Sequence, residues 1–466
     1  MSKRLIFNGF SMNVVSHIFH GMWRHPESRQ SEFNDLDFWI GLVKLFERGR
    51  FDNLFIADVL GVDPAYKGSW DTYVTEAVQI PVNDSSTLVG ALIHATERIG
   101  LTFTSSILQD HPFSFARRVS TLDHLSKGRI GWNIVTSVSH NAAQNFGFDR
   151  IVPHDERYRW AEDYVDVVYK LWEGSWDEDA VRVDRRANVY ADPDRIHRIH
   201  HRSERYKVLG PHLTQPSAQR TPVLFQAGSS RAGRAFAARH AEGTFIVSLS
   251  PEGARKLVEE VDAKVEAAGR RKGDLLYIQG LSFVVGSSEA EARTKARDLD
   301  DYMSLDGALA HISRDLGIDL GLLDPDRPVE ELEIEGIQGY MRYYEEAHPE
   351  RKARVRDLGQ ALALNTRIVG TPESIADQLQ VWRDAGIDGV NVIFQTAPGS
   401  FADFIEHVTP LLQKRGLAQT DYAPGSLRER LFPGRGARLG ATHPAARYRG
   451  AFGARADHAL EADATT

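Results

Sequence analysis

The 466-residue sequence predicts an α/β fold, a (β/α)8 TIM barrel with insertions on its C-terminal face. Two observations lead there. Short runs rich in β-branched and aromatic residues alternate with longer stretches whose apolar residues recur at helical spacing. Eight such units occur, and eight favour closure of a parallel sheet over an open doubly wound one. The composition, 42% hydrophobic and 26% charged, is that of a globular chain and excludes a collagen, a coiled coil or a disordered chain.

Residues 4–10 (RLIFNGF) read as the first strand, and 36–48 follow with apolar residues at Leu36, Trp39, Ile40, Leu42, Val43, Leu45 and Phe46. The second unit pairs strand 53–59 with helix 85–98, opened by Asp84 or Ser85 as its cap. Strand 101–107 leads into helix 113–125, and strand 130–135 into a helix from about 155 to 172. Strands 222–227, 243–247 and 276–285 precede helical patterns at 232–240, 252–268 and 289–299. The last strand, 389–394, lies between helices 372–385 and 400–415.

Three stretches interrupt this repeat, near 60–83, 173–221 and 300–363. Insertions after a barrel strand fall on the catalytic face, so these are expected to wall a pocket. The barrel is expected to occupy 1–431. Residues 432–466, rich in Gly, Ala, Pro and Arg, are expected to form an extended or mobile tail.

Fifty-six basic against sixty-four acidic residues give a net charge of −8, which argues against a dedicated nucleic-acid partner. With no cysteine, disulfides, iron–sulfur clusters and thiol nucleophiles are excluded. No apolar run approaches the ~20 residues of a membrane span, and no apolar signal core follows the first residues, so a cytoplasmic protein is expected.

Gln226-Ala-Gly-Ser-Ser-Arg-Ala-Gly233 follows a strand and opens a helix. Gly228, Ser229 and Ser230 there suit a phosphate held by backbone donors, hydroxyls and the helix dipole; a plain Ser-capped helix is the alternative. Neither a P-loop nor a dinucleotide fingerprint is present. Asn133, Thr136 and Ser137, at the end of the fourth strand, suit a heteroaromatic ring or its polyol chain, or simply cap the loop. His154 and Tyr158 share a face of the next helix's first turn, where they are structural or touch a phosphate or ring. Asp58, ending the second strand, orients a polar ligand or caps its own turn.

His17 and His20 lie at i, i+3, but no acid sits within that run, and a metal site is not expected. The histidines of 195–201 interleave with arginines that would repel a cation, so a solvated basic loop is expected. A neutral loop histidine over an apolar pocket is better placed as a hydrogen-bond donor or proton carrier.

Further motifs recur in order along the chain. They are Gly21-Met-Trp-Arg-His25, Glu47-Arg-Gly-Arg-Phe-Asp52, Leu54-Phe-Ile-Ala-Asp58 and Ala116-Arg-Arg-Val-Ser-Thr-Leu-Asp-His-Leu-Ser-Lys-Gly-Arg129. Then come Gly131-Trp-Asn-Ile-Val-Thr-Ser137, Asn145-Phe-Gly147, His154-Asp-Glu-Arg-Tyr158, Lys170-Leu-Trp-Glu-Gly-Ser-Trp-Asp177 and Pro222-Val-Leu-Phe-Gln-Ala-Gly-Ser229. With these the sequence resembles the bacterial luciferase-like flavin monooxygenases from residue 4 to about 431. The similarity is to the branch of nitrilotriacetate, dibenzothiophene sulfone and dimethyl sulfide monooxygenases.

The resemblance implies a two-component oxygenase. A separate NAD(P)H:flavin reductase would supply reduced FMN (FMNH2) by diffusion, and a flavin peroxide adduct formed with O2 would pass one oxygen atom to the substrate. It places Asp58, Thr104, Asn133, Thr136 and Ser137 around the flavin ring and ribityl chain, and His154, Tyr158, Gly228, Ser229 and Ser230 at its phosphate. It gives His20 and His311 proton delivery or substrate polarisation, with Ser137 beside the oxygen adduct. Phe10, Phe245 and Val247 become the apolar substrate wall, which leans toward a small organosulfur or haloaromatic compound. An aminopolycarboxylate remains the alternative, because Arg24, Lys67 and Arg231 lie in the loops. A homodimer or homotetramer is expected. Two rivals stay open: a metal-dependent barrel hydrolase using His17, His20 and Asp58, and a non-catalytic flavin-binding protein.

Overall fold

A computed structural model describes residues 4–228, 230–332 and 352–453. Among them eight parallel strands close into a ring: β1 (Ile6–Met12), β2 (Asn53–Ala57), β3 (Gly100–Ser106), β4 (Ile130–Val135), β5 (Val223–Gln226), β6 (Gly243–Ile246), β7 (Leu276–Val285) and β8 (Gly389–Ile393). Each pairs with its neighbours in sequence, and β8 returns to β1, with Ile6 opposite Gly389 and Phe10 opposite Ile393. The expected barrel is the observed one.

The ring of helices follows the periodicity: α1 (Leu36–Arg48), α2 (Ser85–Ala95), α3 (Pro112–Ser126), α4 (His154–Tyr169), α5 (Arg231–His240), α6 (Pro251–Ala267), α7 (Glu289–Tyr302), α8 (Leu305–Leu316), α9 (Val355–Asn365) and α10 (Pro372–Asp384), then a helical run over 399–414. Side-chain caps set their starts. The Asp35 carboxylate accepts from the Asp37 amide at 2.9 Å, and Asp84 accepts from Thr87 at 2.8 Å, as the sequence suggests. α1 buries Trp39, Leu42, Val43 and Phe46 against the barrel, and each such side chain contributes about 1.5–3 kcal/mol. Gly9 of β1 makes that contact possible, because a Cβ there would stand 2.5 Å from the Phe46 ring.

Ile6, Phe55, Val223, Phe225, Leu276 and Ile278 fill the lumen, with Phe10 and Phe245 packed against them. The N-terminal mouth is stoppered by the short helix Leu427–Leu431 and Phe432, which belong to the same cluster. The floor is therefore closed and the other end is left for a site.

The insertions behave differently from one another. Residues 60–83 and the described part of 300–363 reach the C-terminal face, but 173–221 runs from the end of α4 to the start of β5. A segment in that position emerges at the opposite end of the barrel, so it does not wall the pocket as expected. Its histidines also depart from the solvated-loop expectation. His197 and His201 are buried, against Asp177 at 3.1 Å and Asp163 at 3.1 Å. Residues 205–209 contribute only a two-residue pairing of Lys207–Val208 with His201–Arg202. Just after the third insertion, the strand Arg367–Gly370, too short to stand out in the sequence, pairs with residues 282–285 of β7 outside the ring.

The described tail, 432–453, lies against its own barrel. His443 Nε2 meets the His240 carbonyl at 2.8 Å, and the Arg449 guanidinium donates to Glu173 at 2.7 Å. Composition registers Gly, Ala and Arg there but not the carboxylates that receive the arginines. No described helix is long and apolar enough to cross a membrane.

Arg428 fastens this end. Wholly buried, it donates from Nε and Nη2 to the Glu242 carboxylate at 2.7 and 2.8 Å, and to the carbonyls of Thr221, Pro222 and Ala437. Arg428→Ala would strand the Glu242 charge and is expected to cost about 3–5 kcal/mol in urea unfolding. Arg29→Ala, which breaks the exposed pair with Glu32, is expected to stay within about 1 kcal/mol of wild type. Similar losses from the two variants would contradict this account of the floor.

Candidate functional site

The C-terminal ends of the strands rim a cavity of about 330 Å³. Asp58 follows β2, Thr104 and Ser106 end β3, and Thr136 and Ser137 follow β4. His154 and Tyr158 open α4, while Gly228 and Ser230 join β5 to α5. All of these line the cavity, so the structure brings together most of the residues singled out in the sequence. Ser229 lies outside the described residues. Asn133 is not on the wall; its Nδ2 donates to Thr104 Oγ1 at 2.9 Å, and its Oδ1 is a buried acceptor with no partner.

One end of the cavity is built by close backbone approach. A Cβ on Gly228 or on Gly233 would stand 2.7 Å from the Tyr158 hydroxyl, so only glycine at both positions lets the backbone pack this closely against that oxygen. The Gly228 amide donates to Gln226 Oε1 at 2.8 Å. Ser230 Oγ accepts from the Gly233 amide at 3.0 Å, so the capping reading of this serine holds, and the positive end of α5 opens at the same place. His154 and Tyr158 do share a face, with ring centroids 5.2 Å apart.

The other wall is acidic and hydroxylated. Asp58 accepts from Ser85 Oγ at 2.8 Å and from the Ser85 amide at 3.3 Å; burial outweighs these bonds and pushes its carboxyl up to about 6. Ser137 adopts a left-handed backbone, φ 59°, and its hydroxyl meets that of Ser106 at 2.8 Å. The Arg157 guanidinium donates to the Ser137 carbonyl.

His20 and His311 do not line the cavity but stand behind two residues that do, Arg314 and Asp315. Ser16 Oγ lies 2.6 Å from His20 Nδ1, His20 Nε2 lies 2.7 Å from His311 Nδ1, and His311 Nε2 lies 3.5 Å from Asp315. One tautomer satisfies the row: Ser16 donates to His20, His20 to His311, and His311 faces the carboxylate. Burial drives both imidazoles well below the usual histidine value, and it takes His17 down to about 4, so all three are neutral near pH 7. Gln79 links this group to the wall, donating to His17 Nδ1 at 2.8 Å and accepting from Arg314. Among the described residues no three His, Cys, Asp or Glu side chains are arranged to hold a metal ion.

Phe10 and Phe245 flank Phe55 at the top of the lumen, with ring centroids 5.7 and 4.6 Å from it, and neither lines the cavity. Val247, just past β6, is 46% exposed and also stands apart. The sequence reading passed over Ser106, Gln79, Arg157, Arg314 and Asp315 as site residues, and gave no separate role to Gln226. Gln226 and Arg157 sit inside motifs already noted, whereas Gln79 and Arg314 meet only through the fold.

Residues 12–389 match the family of luciferase-like monooxygenases. The chain belongs to that family. This luciferase-like protein is 42% identical to the dimethyl-sulfide monooxygenase of Hyphomicrobium sulfonivorans over 97% of its own length and 95% of the relative's. The crystal structure of that enzyme superposes with a TM-score of 0.91, covering 96% of each chain. It is 43% identical to the long-chain alkane monooxygenase of Geobacillus thermodenitrificans over 96% of its own chain and 99% of the relative's. A riboflavin lyase, solved with modified FMN and riboflavin, is 36% identical with a TM-score of 0.88 over 96% of this chain and 100% of that one.

The raised Asp58 carboxyl has a thermodynamic consequence. Between the ordinary value of 3.8 and about 6 the native state binds its proton more tightly than the unfolded chain, so stability falls as pH rises through that window. Above it the cost is complete. Asp58→Asn in the flavin-free protein is expected to gain roughly 1–3 kcal/mol near pH 7.5 and little near pH 4. Equal gains at both pH values in thermal unfolding would remove the assignment.

Proposed function

We propose that this chain is the oxygenase component of a two-component system, taking reduced FMN from a separate NAD(P)H:flavin reductase. It inserts one oxygen atom from O2 into a small neutral organosulfur or haloaromatic substrate. The cavity, lined by hydroxyls and meeting Tyr158, Gly228 and Ser230 at the N-terminus of α5, carries this reading. The residues fit the cofactor. The start of α5 beside the Tyr158 hydroxyl suits a phosphate, and the Thr104, Ser106 and Ser137 hydroxyls on the wall suit the ribityl chain.

Bound FMNH2 supplies the electrons that split O2, one atom going to the substrate and the other leaving as water. The chain's part is to bind, orient and move protons. Tyr158, Ser230 and the Gly228 turn hold the phosphate, with His154 beside them. Asp58, Thr104, Asn133, Thr136 and Ser137 orient the ring and ribityl chain. His20 and His311 pass protons through the Ser16–His20–His311 row, which burial keeps neutral and therefore able both to accept and to donate.

The occupied loop cations favour a neutral substrate over an aminopolycarboxylate. Lys67 pairs with Asp306 at 3.2 Å, Arg24 donates to the Tyr302 carbonyl at 2.5 Å, and Arg314 on the cavity wall is held by Asp315 at 2.6 Å, which leaves the exposed Arg231 of the three cations singled out in the sequence. The deciding assay couples the protein to a generic flavin reductase and screens dimethyl sulfide, a sulfone, a haloaromatic, a long-chain alkane and nitrilotriacetate for oxygenated product. Turnover of a neutral compound is expected; turnover of nitrilotriacetate alone reverses the substrate class, and hydrogen peroxide release with every compound removes the oxygenase.

Gly228→Ala is expected to weaken anaerobic binding of FMNH2 about ten-fold or more, since a methyl group there would displace Gln226 and Tyr158 from the phosphate end of the cavity. Unchanged affinity would empty the phosphate assignment. His20→Ala and His311→Ala are expected to slow product formation about 10²-fold while changing flavin affinity less than about three-fold. Full coupling of flavin oxidation to product in both variants would strip the row of its role.

A further inference from the structure

Arg157 is a buried cation without a counter-ion. It lies on the first turn of α4, between His154 and Tyr158 of the proposed phosphate site, and is only 8% exposed. Among the described residues no carboxylate lies within ion-pair distance of it, and its Nε is buried with no partner. Other buried arginines differ. Arg428 grips Glu242; Arg129 and Arg220 bond mainly to carbonyls and hydroxyls, but each has glutamates within electrostatic range. Around Arg157 the polar neighbour is the Tyr158 phenol, which burial keeps protonated and uncharged. An uncompensated buried charge is costly, and such sites persist where something else supplies the opposite sign.

The guanidinium is also built into the cavity wall. Its one bond, to the Ser137 carbonyl, holds the residue whose backbone is left-handed and whose hydroxyl meets Ser106. Arg157 does not itself line the cavity, so it acts through the 136–139 turn and through its field.

We propose that Arg157 is a positioning residue that makes the cavity selective for a phosphorylated flavin over its uncharged counterpart: the arriving phosphate dianion supplies the missing counter-charge, and the same guanidinium holds the Ser137 turn against the flavin. The proposal rests on the flavin reading above. A purely structural arginine would support both flavins equally, because ring and ribityl chain are common to FMN and riboflavin. A charge matched to the phosphate separates them. Its effect weakens with added salt, as an electrostatic contribution must.

The test measures anaerobic binding of reduced FMN and reduced riboflavin to the full chain, in wild type, Arg157→Gln and Arg157→Lys. Wild type is expected to prefer FMN, with the preference falling as salt rises. Arg157→Gln is expected to lower FMN affinity about ten-fold or more and riboflavin affinity less than about two-fold. Arg157→Lys, which keeps the charge on a different donor geometry, is expected to retain most of the preference. Equal weakening of both flavins in Arg157→Gln, or loss of the preference in a folded Arg157→Lys, overturns the proposal. Should the glutamine variant not fold, the lysine variant and the wild-type salt series decide alone, and a salt-independent preference overturns it. Wild type binding neither flavin would instead remove the flavin reading itself, a result distinct from a variant that binds both without discrimination.

Discussion

Parallel pairing all the way round the ring is the constraint on which the site depends. A parallel strand can reach its neighbour only by a crossover, so each unit returns to the same end before the next begins. Once β8 meets β1, the carboxyl ends of all eight strands lie on one face. Asp58, Thr104, Thr136 and Gly228 are far apart in the chain and belong to four separate units, yet each sits at or just past a strand end. Their convergence needs no long-range attraction between them. Closure delivers it, and the stopper at Leu427–Leu431 shuts the opposite mouth of the lumen.

Within that frame the cavity has two unlike halves. Toward α5, the backbone is the working surface: Gly228 and Gly233 are bare so that the chain comes close beneath Tyr158, and the positive end of the helix opens there. Toward β2 and β4, side chains do the work. Burial holds the Asp58 carboxyl up to about 6, Ser137 has a left-handed backbone, and Asn133, behind the wall, keeps an amide oxygen without a partner. A folded protein ordinarily satisfies such groups, so their accumulation around one cavity marks it as a place where a ligand completes the structure.

The histidine row shows burial setting chemistry. In water an imidazole near neutral pH is a mixture of charged and uncharged forms. Behind Arg314 and Asp315 the low dielectric and the neighbouring cation remove the charged form, and His20 and His311 are left as neutral links that exchange protons without accumulating charge. Arg157 presents the opposite case, a guanidinium too basic to discharge by losing its proton. One site thus contains groups that burial has neutralised and one that it has not.

Hydrophobic periodicity and strand-end polarity, both local, determined the barrel, its eight strands, the Asp84 cap and most of the cavity wall; these follow from which residues sit three, four or two apart. The Gly228 turn was legible for the same reason, since a glycine between strand and helix has a local purpose. The tertiary structure alone decided that Arg367–Gly370 leaves the ring, that the 173–221 insertion faces away, that the tail's Arg449 meets Glu173 and that Arg428 meets Glu242. It alone joined His20 to His311, 291 positions apart, and withheld a carboxylate from Arg157. Partners of that kind are chosen by closure of the chain in three dimensions, and a pattern read along one dimension carries no record of the distance between them.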